Sequence, residues 1–150
     1  METILRAYAL PCLCAFLACE GFTLIFNIHG LGKLIAGVGG ALGWLVYLLG
    51  GQTIFAAFLA AAVIGVFAEV MSRVRRCPVT GYVLVALLPL VPGGGVYYAM
   101  RHCVAGETDQ FLSTLLRTFG MAAALAVGAM LASSAFRAVF PRLRPGPPKK

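Results

Sequence analysis

The stretch from Ala86 to Tyr98 has the clearest capacity for binding chemistry in this chain. Its unusual residues are two prolines, three glycines and two tyrosines, namely Pro89, Pro92, Gly93, Gly94, Gly95, Tyr97 and Tyr98. No charged residue lies between Arg76 and Arg101, so the stretch belongs to an apolar segment long enough to cross a bilayer. Prolines lack amide protons and clash with the preceding turn, and therefore the middle of this segment cannot be a regular helix.

A helix interrupted in hydrocarbon leaves backbone amides and carbonyls without partners. Such groups are tolerated only against protein or a watery cavity, and many transporters bind solutes with paired half-helix ends. We therefore predict that backbone groups of residues 89–95 contact a carboxylate or hydroxyl of a solute. Tyr97 or Tyr98 would supply a hydroxyl partner. The alternative is a plain proline kink that packs on neighbouring helices.

The first apolar segment contains one charged residue, Glu20. Glu20, Thr23 and Asn27 are spaced so that they share one face of a helix. An ionisable group within a span usually faces the interior and marks a pathway. We therefore predict that this stripe lines a polar cavity, with Asn27 contacting solute and Glu20 binding a coupling proton. The alternative is a protonated Glu20 that hydrogen-bonds to a neighbouring helix.

Three further charged residues are candidates for coupling or gating. Glu69 and Arg73 are spaced i, i+4 and can pair along one helix, or Glu69 can cap the inner mouth of a pathway. Arg117 lies near the outer end of the last apolar segment. Its side chain can extend to the lipid headgroups or attract an anionic group of the solute.

The composition indicates a polytopic, all-α membrane protein. Of 150 residues, 61% are hydrophobic and 11% charged, whereas about a quarter of a soluble domain is charged. Residues 1–140 are predicted to form one membrane domain, followed by a disordered basic tail at 141–150. Its five spans, the fourth broken at the Pro/Gly motif, are predicted at about 8–28, 34–50, 53–71, 80–100 and 111–140.

Small residues recur along one face of three predicted spans, where they permit close helix contact. These residues are Ala36, Gly40 and Gly43; Ala57, Ala61 and Gly65; and Gly120, Ala124, Gly128 and Ala132. Basic residues gather in the links after the first, third and fifth spans, which predicts an outside N-terminus and a cytoplasmic C-terminus. The net charge of +7 therefore reflects membrane topology rather than nucleic-acid binding.

The sequence indicates neither an enzyme nor a metal protein. The five cysteines have no zinc-site context, and no serine–histidine or paired-aspartate arrangement occurs at membrane depth. We therefore expect no catalytic residues, no metal and no cofactor.

Several segments together resemble the threonine/serine exporter family. The resemblance covers residues 8–137 and is strongest at Phe22–Ile28, Gly40–Tyr47, Ala68–Arg73, Pro78 and Pro89–Tyr98. The most specific part is the Pro-x-x-Pro-Gly element followed by tyrosine, after a helix that ends in Ala-Glu-x-x-Ser-Arg. The chain is similar to the five-helix second half of the single-chain exporters, which also exists as a separate small subunit.

The resemblance implies a secondary exporter of the bacterial inner membrane, driven by an ion gradient. Its solutes would be threonine and serine, and its partner a second five-span protein similar to the first half of the family. We therefore expect this chain to form half of a transporter. The resemblance is also compatible with assembly of the complete transporter into a higher oligomer. The alternatives are export of a dicarboxylate such as succinate, or a structural or regulatory membrane partner without its own solute path.

Overall fold

The computed structural model describes residues 2–28, 30–75 and 78–140, and all regular structure among them is helical. The elements are α1 (Glu2–Ile25), α2 (Gly32–Leu49), α3 (Ile54–Arg75), α4 (Val79–Leu87), a 3-10 turn (Leu88–Leu90), α5 (Gly93–Val104) and α6 (Thr108–Val139). The predicted all-α class is therefore confirmed. The predicted tail at 141–150 lies outside the described residues.

Four helices, α1, α2, α3 and α6, are each long and apolar enough to cross a membrane. The segment Val79–Leu90 followed by Gly93–Val104 meets the same test only as a pair, and it bends by 45° at the break. Such a pair is either a broken span or a re-entrant loop, so the described residues contain four or five spans. The multi-pass character predicted from composition is confirmed at this level.

The small-residue faces lie at close helix contacts, as predicted. A Cβ added at Gly65 of α3 would lie 3.0 Å from Ala132 of α6, and one added at Gly128 would overlap the carbonyl oxygen of Phe58. In α2, a Cβ at Gly43 would overlap Ile64. Because glycine has no side chain, the helix backbones approach closely and gain dispersion contacts along their length.

Helices α3 and α6 run parallel to each other. Gly120 lies against Ile54 at the start of α3, Ala132 lies against Gly65 near its middle, and Arg137 reaches Glu69 near its end. Two helices that are not adjacent in sequence therefore share one direction.

The two halves of the interrupted segment pack on different helices. Helix α4 contacts α2, α3 and α1, whereas α5 packs mainly on α6. Buried α4 side chains include Tyr82, Val85 and Ala86, but the only buried residue of α5 is Ala99. The break between them therefore coincides with a change of packing partner.

Helix α5 and the first turns of α6 extend past the α2–α3 turn. A Cβ added at Gly120 would lie 3.1 Å from Ile54, the first residue of α3. Thr108, where α6 begins, lies about 18 Å further along the same helix. The hairpin formed by α5 and residues 108–117 therefore projects beyond the rest of the bundle. The predicted boundaries near residues 100 and 111 are replaced by the turn between Val104 and Thr108.

The first span ends earlier than predicted, and this removes Asn27 from the polar stripe. Helix α1 ends at Ile25, and Asn27 adopts a left-handed backbone conformation with φ of 54°. Asparagine tolerates this conformation better than most residues, so it suits a turn that ends a helix. The prediction that Asn27 continues the helix face of Glu20 and Thr23 was therefore wrong.

Candidate functional site

The interruption is formed by a short, locally hydrogen-bonded turn. Pro89 lies within the 3-10 turn, Val91 is extended with φ of −61° and ψ of 126°, and α5 begins at Gly93. The amide of Val91 donates to the carbonyl of Leu88 at 3.2 Å, and the amide of Gly93 donates to the carbonyl of Val91 at 2.8 Å. The first amides of α5 have no partners within the helix, because a helix cannot satisfy its own first turn.

A cavity of about 300 Å³ lies beside this helix start, between α5 and α6. Its lining residues are Pro92, Gly95, Thr114, Arg117, Thr118 and Met121. Arg117 is the one charged side chain among them. Its positive charge adds to the partial positive charge of a helix N-terminus, so the electrostatics of the cavity favour an anionic group.

The three glycines of the motif have different surroundings. A Cβ at Gly95 would overlap the side chain of Thr118, whereas Cβ atoms at Gly93 and Gly94 would meet nothing within 4 Å. Gly95 is therefore required for the contact between α5 and α6. The space beside Gly93 and Gly94 leaves their backbone accessible.

The two tyrosines do not line the cavity. Tyr97 and Tyr98 are 66% and 52% exposed, and their rings make an edge-to-face contact with centroids 5.4 Å apart. The guanidinium of Arg101 lies 5.7 Å from the centre of the Tyr98 ring. Within this chain, the structure brings together Pro92, Gly95 and Arg117 but not the predicted tyrosine hydroxyls.

Glu20 lies between α1 and α2. A Cβ added at Gly37 would lie 2.6 Å from its Oε1 atom, so the glycine creates the space that the carboxyl group fills. This oxygen is buried and has no hydrogen-bond partner among the described residues. The neighbouring Thr23 is fully buried, and its hydroxyl donates to the backbone carbonyl of Glu20 at 2.7 Å.

Glu69 accepts a hydrogen bond within a cluster of three charged side chains at the end of α3. It is fully buried, its Oε1 accepts from Nε of Arg137 at 2.6 Å, and Arg73 approaches its Oε2 at 3.9 Å. The guanidinium of Arg73 lies 4.4 Å above the ring of Phe136. The predicted contact between Glu69 and Arg73 is present, but the closer partner is Arg137, which the sequence analysis did not identify.

A second cavity, of about 350 Å³, lies at the opposite end of the bundle. It is lined mainly by apolar atoms from Ile28, Gly32, Arg75, Pro78, Thr80, Gly81 and Tyr82. The bundle therefore has one cavity near the α2–α3 turn and another where α1 and α3 end. Among the described residues, no group of three or more histidines, cysteines or acidic residues is placed to hold a metal ion.

Comparison with known proteins gives one match. The family model described as "Threonine/Serine exporter, ThrE" matches residues 11–135. No curated protein and no solved structure matches the chain significantly. The matched region covers most of α1 and all of the helices α2 to α5, and it reaches nearly to the end of α6.

Proposed function

The chain belongs to the threonine/serine exporter family, and we propose that it is one subunit of a secondary-active exporter acting with a second five-span subunit. Family membership and the apolar helices identify a multi-pass membrane transporter. We assign threonine and serine as the solutes. The second subunit and the solute site are our proposals beyond family membership.

The proposed solute-binding site is the cavity at the start of α5. A small amino acid has one carboxylate, and the cavity presents one guanidinium, from Arg117, beside a helix N-terminus. Its volume of about 300 Å³ is at the lower end of the range for small-molecule pockets. In this site Pro89 and Pro92 would prevent a continuous helix and so leave the start of α5 free to bind solute. Gly93 and Gly94 allow a solute to approach the backbone, and Gly95 lines the cavity while it permits the close contact between α5 and α6.

The tyrosines fit this site only within an assembly. Tyr97 and Tyr98 are exposed and do not line the cavity in this chain, and in the proposed assembly the second subunit would cover them. Their hydroxyls would then serve a solute path that both subunits enclose. Asn27 lies in the turn after α1 at the opposite end of the bundle. Contact between Asn27 and solute would therefore occur where the path meets that end.

Coupling and gating are assigned to separate charged groups. Glu20 is the proposed proton site, because its buried Oε1 has no partner among the described residues, and a carboxyl group at membrane depth commonly belongs to a proton relay. Glu69 and Arg73 are the proposed gating residues at the end of α3. Arg117 would attract the carboxylate of the solute at the other cavity.

The proposed topology counts the bent pair as one span, which gives five spans in the bacterial inner membrane. The links at the ends of α1, α3 and α6 then lie on the cytoplasmic side, where Lys33, Arg73, Arg75 and Arg137 satisfy the positive-inside rule. The end of the projecting hairpin, at the turn between Val104 and Thr108, would lie on the outer side.

Efflux from cells tests the solute assignment directly. The chain would be produced alone and together with a family protein of the complementary five-span type. Each strain would then be loaded with labelled threonine, serine or succinate. We expect threonine and serine efflux only from cells that contain both proteins. Efflux of succinate alone would replace the solute assignment with a dicarboxylate, and no efflux of any solute would favour a structural role.

A further inference from the structure

Glu69 joins two helices that must move apart if this end of the bundle opens. Its carboxylate is fully buried on α3, and its Oε1 accepts a hydrogen bond at 2.6 Å from Nε of Arg137 on α6. Arg73 lies one helical turn after Glu69, and its guanidinium approaches the other carboxylate oxygen at 3.9 Å. The carboxylate is therefore held between an arginine of its own helix and an arginine of another helix.

The exposure of the three side chains differs in a way that suits a contact that opens and closes. Glu69 is inaccessible to solvent, Arg73 is 23% exposed, and Arg137 is 61% exposed. A buried carboxylate without a partner is strongly unfavourable. Water admitted by separation of the helices would solvate it instead. A gate at this position would therefore have two favourable arrangements, one closed and paired and the other open and hydrated, because a dry, unpaired carboxylate is unfavourable.

The contact between α3 and α6 changes in character near the Glu69–Arg137 pair. Closer to the membrane centre, α3 and α6 are held together by small residues, with Gly65 against Ala132 and Ala129. Near Glu69 the contact between them consists of side chains, since Arg73 stacks on Phe136 and Arg137 reaches the carboxylate. Long side chains can separate by rotation about their own bonds, whereas closely packed backbones cannot.

We propose that Arg137 is the positioning residue of an inner gate, and that its ion pair with Glu69 keeps this end of the transporter closed. This inference rests on the proposed function, because a gate has meaning only in a protein with a solute path. Arg73 and Phe136 hold the carboxylate and the end of α6 in the orientation that Arg137 requires. The gate opens when Arg137 leaves Glu69 and water reaches the carboxylate.

Cysteine accessibility measures the gate without requiring transport. Ser133 lies one turn before Arg137 on the same side of α6 and is half-buried, so a Ser133→Cys substitution reports on water that enters beside Arg137. Inside-out vesicles would be treated with a membrane-impermeant methanethiosulfonate, and labelling at position 133 would be read by mass spectrometry. In the Arg137→Gln background we expect labelling at least about tenfold faster than in the parent, because the open state becomes more populated. Arg137→Lys should give a smaller increase. Lys33→Gln, a loss of charge on α2, should give none.

A double variant separates gating from a purely structural role. Glu69→Gln with Arg137→Gln removes the fully buried carboxylate together with its closest partner, so it should accumulate in the membrane even if Arg137→Gln alone does not. If the pair forms a gate, position 133 should be labelled rapidly in the double variant. Labelling as slow as in the parent would show that the pair only stabilises the fold and would overturn the proposal. Threonine efflux by the parent, measured separately, tests the proposed function and does not affect this result.

Discussion

Gly95 of α5 lies directly against Thr118 of α6, so that any side chain at position 95 would overlap the threonine hydroxyl. The two preceding glycines have open space around them. Three identical residues in a row therefore have two separate roles. One permits contact between two helices, and the others keep the start of a helix accessible.

This difference predicts that substitutions at Gly94 and Gly95 affect different properties, namely efflux and stability. Gly95→Val should destabilise the protein by about 1–3 kcal/mol through overpacking, which corresponds to a fall in melting temperature of about 2–12 °C. Gly94→Val should leave the melting temperature unchanged but reduce efflux, because its side chain occupies the space beside the exposed amides. Thermal unfolding in detergent and efflux from proteoliposomes measure the two effects. Normal efflux by both Gly93→Val and Gly94→Val would show that the start of α5 does not bind solute.

Arg117 should determine the affinity for the carboxylate of the solute. A hydrogen bond to a charged group contributes about 1.5–3 kcal/mol, so Arg117→Gln should raise the half-saturating concentration by about 10- to 100-fold. Arg117→Lys keeps the charge and should have a smaller effect. The matched control is Arg101→Gln, which removes the same charge from the projecting hairpin outside the cavity. Equal kinetics for Arg117→Gln and Arg101→Gln would place Arg117 among the lipid headgroups instead.

Glu20→Gln should separate coupling from solute movement. If Glu20 binds the coupling proton, the variant will not export threonine against a gradient when only a pH difference drives it. Exchange of labelled for unlabelled threonine across the membrane should persist, because it needs no net proton transfer. Asp109→Asn, which removes an exposed carboxylate in the first turn of α6, provides the control. A variant that retains proton-driven export would exclude Glu20 from the mechanism.

The projecting hairpin should be accessible from outside the cell. Cys103 lies near the end of α5 and is exposed, beyond the level at which α3 begins. A membrane-impermeant maleimide added to intact cells should therefore label Cys103, and the Cys103→Ser variant should lose that label. Cys14 is also exposed in this chain, but α1 places it at lipid depth, where an impermeant reagent does not react. Labelling of Cys103 only in inside-out vesicles would reverse the proposed orientation.

The sequence was most informative about features that repeat along a helix. High apolar content and short basic links indicated a multi-pass helical protein, and the spacing of small residues correctly identified contact faces such as those of Gly65 and Gly128. The prolines and glycines also located the break in the segment after α3. Each of these signals is local, because helix geometry relates residues three or four positions apart.

Features that depend on the chain as a whole were not predictable in this way. Arg137 meets Glu69 across 68 residues, and no periodicity connects them. Asn27 had the correct spacing for the face of Glu20, but α1 ends before it. Tyr97 and Tyr98 follow the glycines in sequence, yet both side chains are exposed and lie outside the lining of the cavity. Tertiary packing decided the outcome for Arg137 and the tyrosines, whereas a local turn at Asn27 ended α1.

The change of partner at Val91 and Pro92 has a mechanical consequence. Because α4 is held by the first three helices and α5 mainly by α6, a tilt of α6 carries α5 with it while α4 stays in place. The two residues between them then act as a joint, so that the tilt shifts the cavity between α5 and α6 relative to α4. A displacement of α6 at its far end would thus move the start of α5 and its cavity while α4 stays in place.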